Sequence, residues 1–546
     1  MNYNGDTIRN GGASEMKQWF SLLLALIMIV SCVPAMADPL GAYADTVVIT
    51  SSKDLGANSP TFPEGDSLEN NVWTRLYKDA LNVEVDFTWS TNEQQYAQKV
   101  NVAITANELP DVMKVSAAQL SMMYENGQLM DMTDVLEANM SDLVRKTIYA
   151  DGGLSLDSAT FGGRLYAIPN IGSGLLSAYV LWIRTDWLEK LNLEAPKTMD
   201  EMLAVARAFS TQDPDGNGVD DTYGLAMYKD LFDGGFSCME GFFNGFGAYP
   251  NIWIEKEGKL VHGSVQPEAK EALSVLQSMS QEGLLDPEFG VKDAGKVSED
   301  VSAGKVGMFF GAFWNASMIN DAKVANPSME WQPIAIPTAT GELTKAQIPF
   351  GTSSYYAVSA ECKNPEAIVK LLNLQMEKNY GETAEPTKYN ITPEGYGPYA
   401  YTVIALEPTM KNFEAAVKVT AALETGDVSA LNDEEKGYYD MCVLCREGDY
   451  GNSNWHQMKM FGPNGSLSVI QTYNDAGNIM VDEFYGSATQ TMSEKLSTLK
   501  KQQLTDFTSI IMGEDIGAFD TFVANWNKLG GEKMTEEVNA WYASVQ

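Results

Sequence analysis

Three short apolar runs, Thr46–Thr50 (TVVIT), Val83–Phe87 (VEVDF) and Asp111–Val115 (DVMKV), alternate with helix-like segments in the first part of the chain. No other feature constrains the fold as much. Strands that recur only after a helix-length connection pair in parallel, because a parallel neighbour needs a crossover. Between the second and third runs, Glu93–Ala106 spaces Tyr96, Val100 and Ile104 four apart, with Ala103 on the same face, which predicts an amphipathic helix. The expected class is therefore α/β. Ligands on open sheets of this kind bind at the carboxyl ends of the strands, so Trp89, Asn92 and Asp111 are expected near one rim.

A second unit begins after Tyr166-Ala-Ile-Pro169 and the Gly172-Ser-Gly174 break. Tyr179–Arg184 reads as a strand and Asp186-Trp187-Leu188 opens a helix. Thr198, three residues before Glu201, marks a capping box, starting a helix whose Met202, Val205, Ala206 and Phe209 share a face. A further helix is expected from Pro267 to Glu282, with Ala272, Leu273, Leu276 and Met279 inward. Gly307–Phe310 reads as a buried strand running into Gly311-Ala312-Phe313-Trp314, and Tyr355–Ser359 as another strand. The final third is largely helical in pattern. With no repeat and no linker-bounded domain, the chain is expected to build its lobes from interleaved segments.

The helix after Thr198 runs into Asp213–Gly224, DPDGNGVDDTYG, which sets oxygen ligands at alternate residues around glycines. Calcium takes six to eight oxygens at one point, and Asp213, Asp215, Asn217, the Val219 carbonyl and Asp221 are candidates. The twelfth position of an EF-hand loop, where a bidentate glutamate is required, is Gly224 here, so this is not a standard sensor loop. An acidic solvated turn is the alternative reading.

Residues 1–37 read as a secretory signal, with Lys17, an apolar run from Leu22 to Val30 and Ala35-Met36-Ala37 before Asp38. Ile29-Val-Ser-Cys32 also fits a lipobox, in which Cys32 would carry lipid; cleavage after Ala37 is the other route, and both export the protein. The chain carries 73 acidic against 37 basic residues, a formal charge of −36. Such a field repels phosphate backbones, which excludes nucleic acid as an expected partner, while a neutral hydrated ligand meets no such penalty.

Cys442 and Cys445 form a lone CxxC on a predicted helix; packing or a redox or metal site are both open, although zinc would need a second ligand pair. His262 and His456 stand beside no nucleophile motif, and no phosphate loop or metalloprotease motif occurs. A glycosidase carboxylate pair would be indistinguishable among 73 acids. Aromatic rings say more, because sugars stack their C–H faces on indole and phenol rings. Phe246 and Tyr249 in GFGAYPN, Trp314 at a strand exit and Trp455 after NSN are the candidates for lining a cleft, with core packing as the alternative for each.

YAQKVNVAITANELPDV at 96–112, FGGRLYAIP at 161–169, LWIRTDWLEKLNLEAPKTMDEMLAVARAFSTQDPDGNGVDDTYG at 181–224, EGLLDPEF at 282–289 and AGKVGMFFGAFW at 303–314 together resemble the family 1 extracellular solute-binding proteins, the carbohydrate-binding components of ABC importers. The resemblance implies a two-lobed, periplasmic-binding-protein-like α/β fold whose hinge is several crossing strands. It implies a first lobe of 38–170 and about 355–450, and a second of 171–354 and about 451–546. By position it makes Trp314 a sugar-stacking ring and Asp111 a cleft-rim carboxylate. It also implies structural calcium at Asp213–Thr222, although Thr222 stands where relatives place a glutamate. A monomer that captures an oligosaccharide and delivers it to a membrane permease is expected; a secreted carbohydrate-active enzyme and a peptide-binding receptor on the same scaffold are the rivals.

Overall fold

The computed structural model describes residues 38–56, 62–232, 234–392 and 396–546. The signal segment, with Cys32 and Ala37, lies outside them. Asn71 caps the helix Val72–Leu81 by accepting from the amides of Trp73 and Thr74, which sets Trp73, Tyr77 and Leu81 four apart on its buried face. Asn92 likewise caps Glu93–Ala106, whose Tyr96, Val100, Ala103 and Ile104 are buried. Both helices end on an asparagine in the left-handed region, Asn82 and Asn107. Asparagine adopts that conformation more readily than other side-chain-bearing residues.

These helices cover a five-stranded sheet in the order Val83–Thr91, Val47–Asp54, Val112–Val115, Thr352–Val358, Ala167–Ile171. The first three strands are parallel, as their spacing predicts. Thr352–Val358 runs antiparallel to both its neighbours, because it enters after a long excursion through the other lobe.

The second lobe is built on a three-stranded antiparallel sheet with Val180–Arg184 between Met308–Gly311 and Trp331–Ile334. Every residue of the central strand is buried. Side chains alternate along a strand, so Leu181 and Ile183 enter one core while Val180 and Trp182 enter another. The first of these holds Met202, Val205, Ala206 and Phe209 from the Thr198-capped helix, and Phe507, Phe522 and Trp526 from the C-terminal helices. In the capping box Thr198 accepts from the Glu201 amide at 3.1 Å while the Glu201 carboxylate accepts from the Thr198 amide at 3.0 Å.

The second core is filled by Phe413, Val419, Cys442, Cys445, Trp455 and Tyr473. The first-lobe core ends at Leu406. Residues from Phe413 to Cys445, expected with the first lobe, thus pack on the second. Amphipathic periodicity says that a helix face is buried, not which sheet buries it. Cys442 and Cys445 are free and buried, and burial pushes the Cys442 thiol up to about 12, so the CxxC is a packing element here.

The chain passes between the lobes at Ile171–Tyr179, Ile348–Thr352 and Leu406–Lys411. The first two passages touch through the backbone, Gly172 N–H donating to Gly351 O at 2.9 Å. No helix among the described residues is long and apolar enough to cross a membrane.

Trp182 ties the second lobe together: its ring stacks on Phe309 and its indole N–H donates to Ala312 O at 3.2 Å. Trp182→Phe keeps most of the apolar volume but removes one of the two donors to that carbonyl, the Asn315 amide at 3.2 Å being the other, and should cost about 1 kcal/mol. Urea unfolding followed by circular dichroism measures it; an unchanged midpoint would mean that the bond contributes nothing.

Candidate ligand-binding cleft

Gly311, the last residue of its strand, pairs with Val180, where the chain enters from the first lobe. The segment beyond Gly311 is held at both ends. Ala312 O accepts from Trp182 and Phe313 O accepts from Ser466 Oγ at 2.7 Å, and Asn315, Ala316 and Ile319 of the next helical turn are buried. Between these anchors Trp314 stands 38% exposed, while every other tryptophan among the described residues is buried or half-buried. Its ring lies over Gly235, whose φ of +73° favours glycine; a Cβ there would touch the indole Cζ2 at 3.5 Å.

Along the crossings a depression of about 570 Å³ lies between the lobes. Asn170, Gln375, Asn379 and Asn390 line its first-lobe side, with Tyr380 and Tyr399; Asn412, Glu434 and Tyr438 face them. Lys411 bridges Glu407 at 3.3 Å and Glu434 at 3.1 Å, and Tyr438 donates to Glu434 at 2.7 Å. Burial, and then the charges of Glu407 and Glu434, push the Tyr380 hydroxyl well above the usual phenol range, so it stays a donor. The buried Asn379 Oδ1 has no hydrogen-bond partner among the described residues. Amides, phenols and a carboxylate around a cavity can pair with many hydroxyls in many orientations. None of these residues forms a sequence motif; they converge from scattered positions between Asn170 and Tyr438, and only the Gly172 break beside Asn170 hinted at the place.

The other expected ligand residues stand elsewhere. The Asp111 carboxylate accepts from the Thr50 amide at 2.8 Å and hydroxyl at 2.7 Å, at the amino-terminal start of its strand rather than the carboxyl end. It splices two strands. Phe246 is half-buried against Phe242, and Tyr249 is buried with Ile252 and Ile254. Trp455 sits on a helix rather than in a loop, fully buried, its N–H directed at Glu330 at 3.3 Å. Tyr249 and Trp455 therefore present no free face for stacking.

The acidic loop closes on itself. Asp213 accepts from the Gly216 and Gly218 amides at 3.0 and 3.1 Å, Asn217 donates to Asp215 at 2.8 Å and to Asp221 at 3.2 Å, and Val219 donates to Asn217 Oδ1. Slight burial, and then the negative fields of Asp213 and Asp221, raise the Asp215 carboxyl. Three carboxylates and an amide oxygen are a donor set that suits a hard cation. Thr222 does not belong to it: its buried hydroxyl donates to Phe209 O at 2.7 Å, back into the preceding helix. Among the described residues no three carboxylate, thiol or imidazole groups converge closely enough to hold an ion.

The family model of the bacterial extracellular solute-binding proteins matches residues 59–378, more than half of the chain. This chain belongs to that family. It is thus a binding protein, not an enzyme. Lipoprotein LipO of Bacillus subtilis (strain 168) is 25% identical over 97% of this chain and 98% of its own length. The polygalacturonan/rhamnogalacturonan-binding protein YtcQ of the same organism is 30% identical over 44% of this chain and 46% of its own. Among solved structures, the Streptococcus pneumoniae substrate-binding protein FusA, as an EF-hand mutant in complex with fructo-nystose, superposes with a TM-score of 0.56 at 18% identity, covering 92% of this chain and 99% of that one. That likeness shows the two-lobed fold of the family.

For a solute-binding protein of this build, Trp314 and Trp455 should respond oppositely to truncation. Trp455→Ala empties a core site and should cost about 3–5 kcal/mol, whereas Trp314→Ala should change stability by about 0.5 kcal/mol or less. Thermal unfolding of both variants checks the assignment, and a large loss for Trp314→Ala would return that ring to the core.

Proposed function

We propose that this protein is a cell-surface receptor that captures an oligosaccharide between its lobes and delivers it, as a monomer, to the permease of an ABC importer. The observation that carries this reading is Trp314, an exposed indole clamped by its neighbours at the interlobe end of the second-lobe sheet. A ligand long enough to extend from that ring to the amide-lined depression, which Trp314 does not itself line, would find hydroxyl partners there, where Asn379 Oδ1 lacks one among the described residues. The names of YtcQ and FusA, each tied to a glycan, support the ligand class. Closure follows from the same geometry: only a closed form lets both lobes touch one ligand, so ligand stabilises it.

A glycan-array screen followed by calorimetry tests the proposal. A hit should lose about 2 kcal/mol, roughly thirtyfold in Kd, in Trp314→Ala. Binding of peptides but of no glycan would overturn it.

The reading extends to a structural calcium ion, for which Asp213, Asp215, Asn217, Asp221 and the Val219 carbonyl would have to draw together from where they stand, with Thr222 outside the set. Bound calcium would neutralise carboxylates that otherwise repel one another. Calcium at about a hundred times its Kd should add about 2.7 kcal/mol of stability over chelator-treated protein, and Asp213→Asn with Asp215→Asn should abolish the gain. Equal melting temperatures with calcium and with chelator would refute the site.

Export places the receptor outside the membrane, and the name of the full-length relative LipO favours anchoring through Cys32. Palmitate labelling should be lost in Cys32→Ala. A mature amino terminus at Asp38 would show cleavage after Ala37 instead.

A further inference from the structure

The helix Gln490–Ile511 turns Met492, Leu499, Gln503, Phe507 and Ile510 inward, at the spacing of one helix face. Every member of that face is apolar except Gln503. It is 1% exposed, and neither its side-chain oxygen nor its side-chain nitrogen has a hydrogen-bond partner among the described residues. A buried amide left unpaired costs stability, and a leucine at this position would avoid the cost.

The amide meets a cavity of about 340 Å³. Gln503, Lys500 and Leu504 of the helix line it together with Asp230, Leu231 and Phe232 from elsewhere in the second lobe. Phe232 is fixed edge-on against Phe243 and Phe507. Asn251 completes the lining; its main-chain N–H donates to Ser264 Oγ at 2.9 Å, while its buried Oδ1 has no partner among the described residues. None of these residues lines the depression between the lobes, so an occupant here is a second ligand.

The lining states what that occupant must carry. Lys500 and Asp230 supply opposite charges, and neither forms an ion pair among the described residues. The charge of Lys500 reaches Asp482, but the Asp482 carboxylate accepts from the Trp253 and Phe484 amides at 3.0 and 3.2 Å instead. Leu231, Phe232 and Leu504 add an apolar wall. A neutral sugar would leave both charges unpaired, and a simple anion would leave Asp230 so. Ligand cavities run from about 300 to 1,000 Å³, and this one stands at the small end, which suits a molecule of amino-acid size.

We infer that this cavity is a second ligand site, separate from the interlobe cleft, for a zwitterionic amino acid with an apolar side chain. Lys500 and the Gln503 nitrogen receive its carboxylate, Asp230 and the free oxygens of Gln503 and Asn251 receive its ammonium, and its side chain covers Leu231, Phe232 and Leu504.

The test is calorimetry and thermal unfolding of the full-length mature protein with leucine, methionine and phenylalanine, each beside its N-acetyl derivative and its amide. Acetylation removes the positive charge and amidation the negative one. At least one free amino acid should bind with one-to-one stoichiometry and raise the melting temperature, and both of its derivatives should bind about tenfold more weakly or worse. Lys500→Met, at an exposed position, should cost about tenfold in affinity for the free amino acid but not for its amide. Gln503→Leu should abolish binding without lowering the melting temperature of the unliganded protein, because it removes an unpaired buried amide. No heat and no shift with any of the three, or binding that survives both substitutions, would overturn the site. So would a lowered melting temperature for Gln503→Leu in a protein that binds none of them, since trapped water alone would then pair with the amide. Each of these outcomes leaves the sugar receptor standing, because no residue of the cleft is changed.

Discussion

Two backbone passages touching at Gly172 and Gly351 set the relation of the lobes. Their 2.9 Å hydrogen bond brings the two backbones together: a Cβ on Gly351 would just touch Gly172 O at 3.4 Å and one on Gly172 would touch Gly351 O at 3.5 Å. From this contact the chain runs one way into the strand that ends the five-stranded sheet and the other way into the centre of the three-stranded sheet. The cavity between the lobes exists because these sheets are joined by narrow passages rather than by a shared core. A thin backbone connection is also what allows two rigid bodies to swing about it.

Rigidity on either side then positions the cleft. Trp182 at the centre of the second-lobe sheet holds Ala312, Ser466 holds Phe313, and Trp314 is left standing between them. In the first lobe, Asp111 spends its carboxylate on splicing strands at their amino-terminal side.

The parallel strands, the Asn92- and Thr198-capped helices and their buried faces were legible because each obeys a local period or a local hydrogen bond. The exposure of Trp314 was legible for a related reason: a strand that exits through Gly311 leaves the aromatics beyond it without a partner strand, and of Phe313 and Trp314 the second stands exposed. Trp455 and Tyr249 failed as ligand candidates since their apparent loops are a helix and a packed turn, and burial is a property of what lies opposite. The placement of Phe413–Cys445 on the second lobe escaped the sequence for the same cause. The amides of the depression had no signal at all, being scattered singly from Asn170 to Asn412.

The amino-acid sequence by itself determined the α/β class, the family, the acidic field and the oxygen-rich loop after Phe209, all consequences of spacing and composition. Tertiary structure alone decided which candidate rings reach solvent and that Thr222 turns away from the loop to bond Phe209. Those outcomes depend on strand register and on which sheet a helix covers. Both are set by contacts between distant segments, and no local period encodes them.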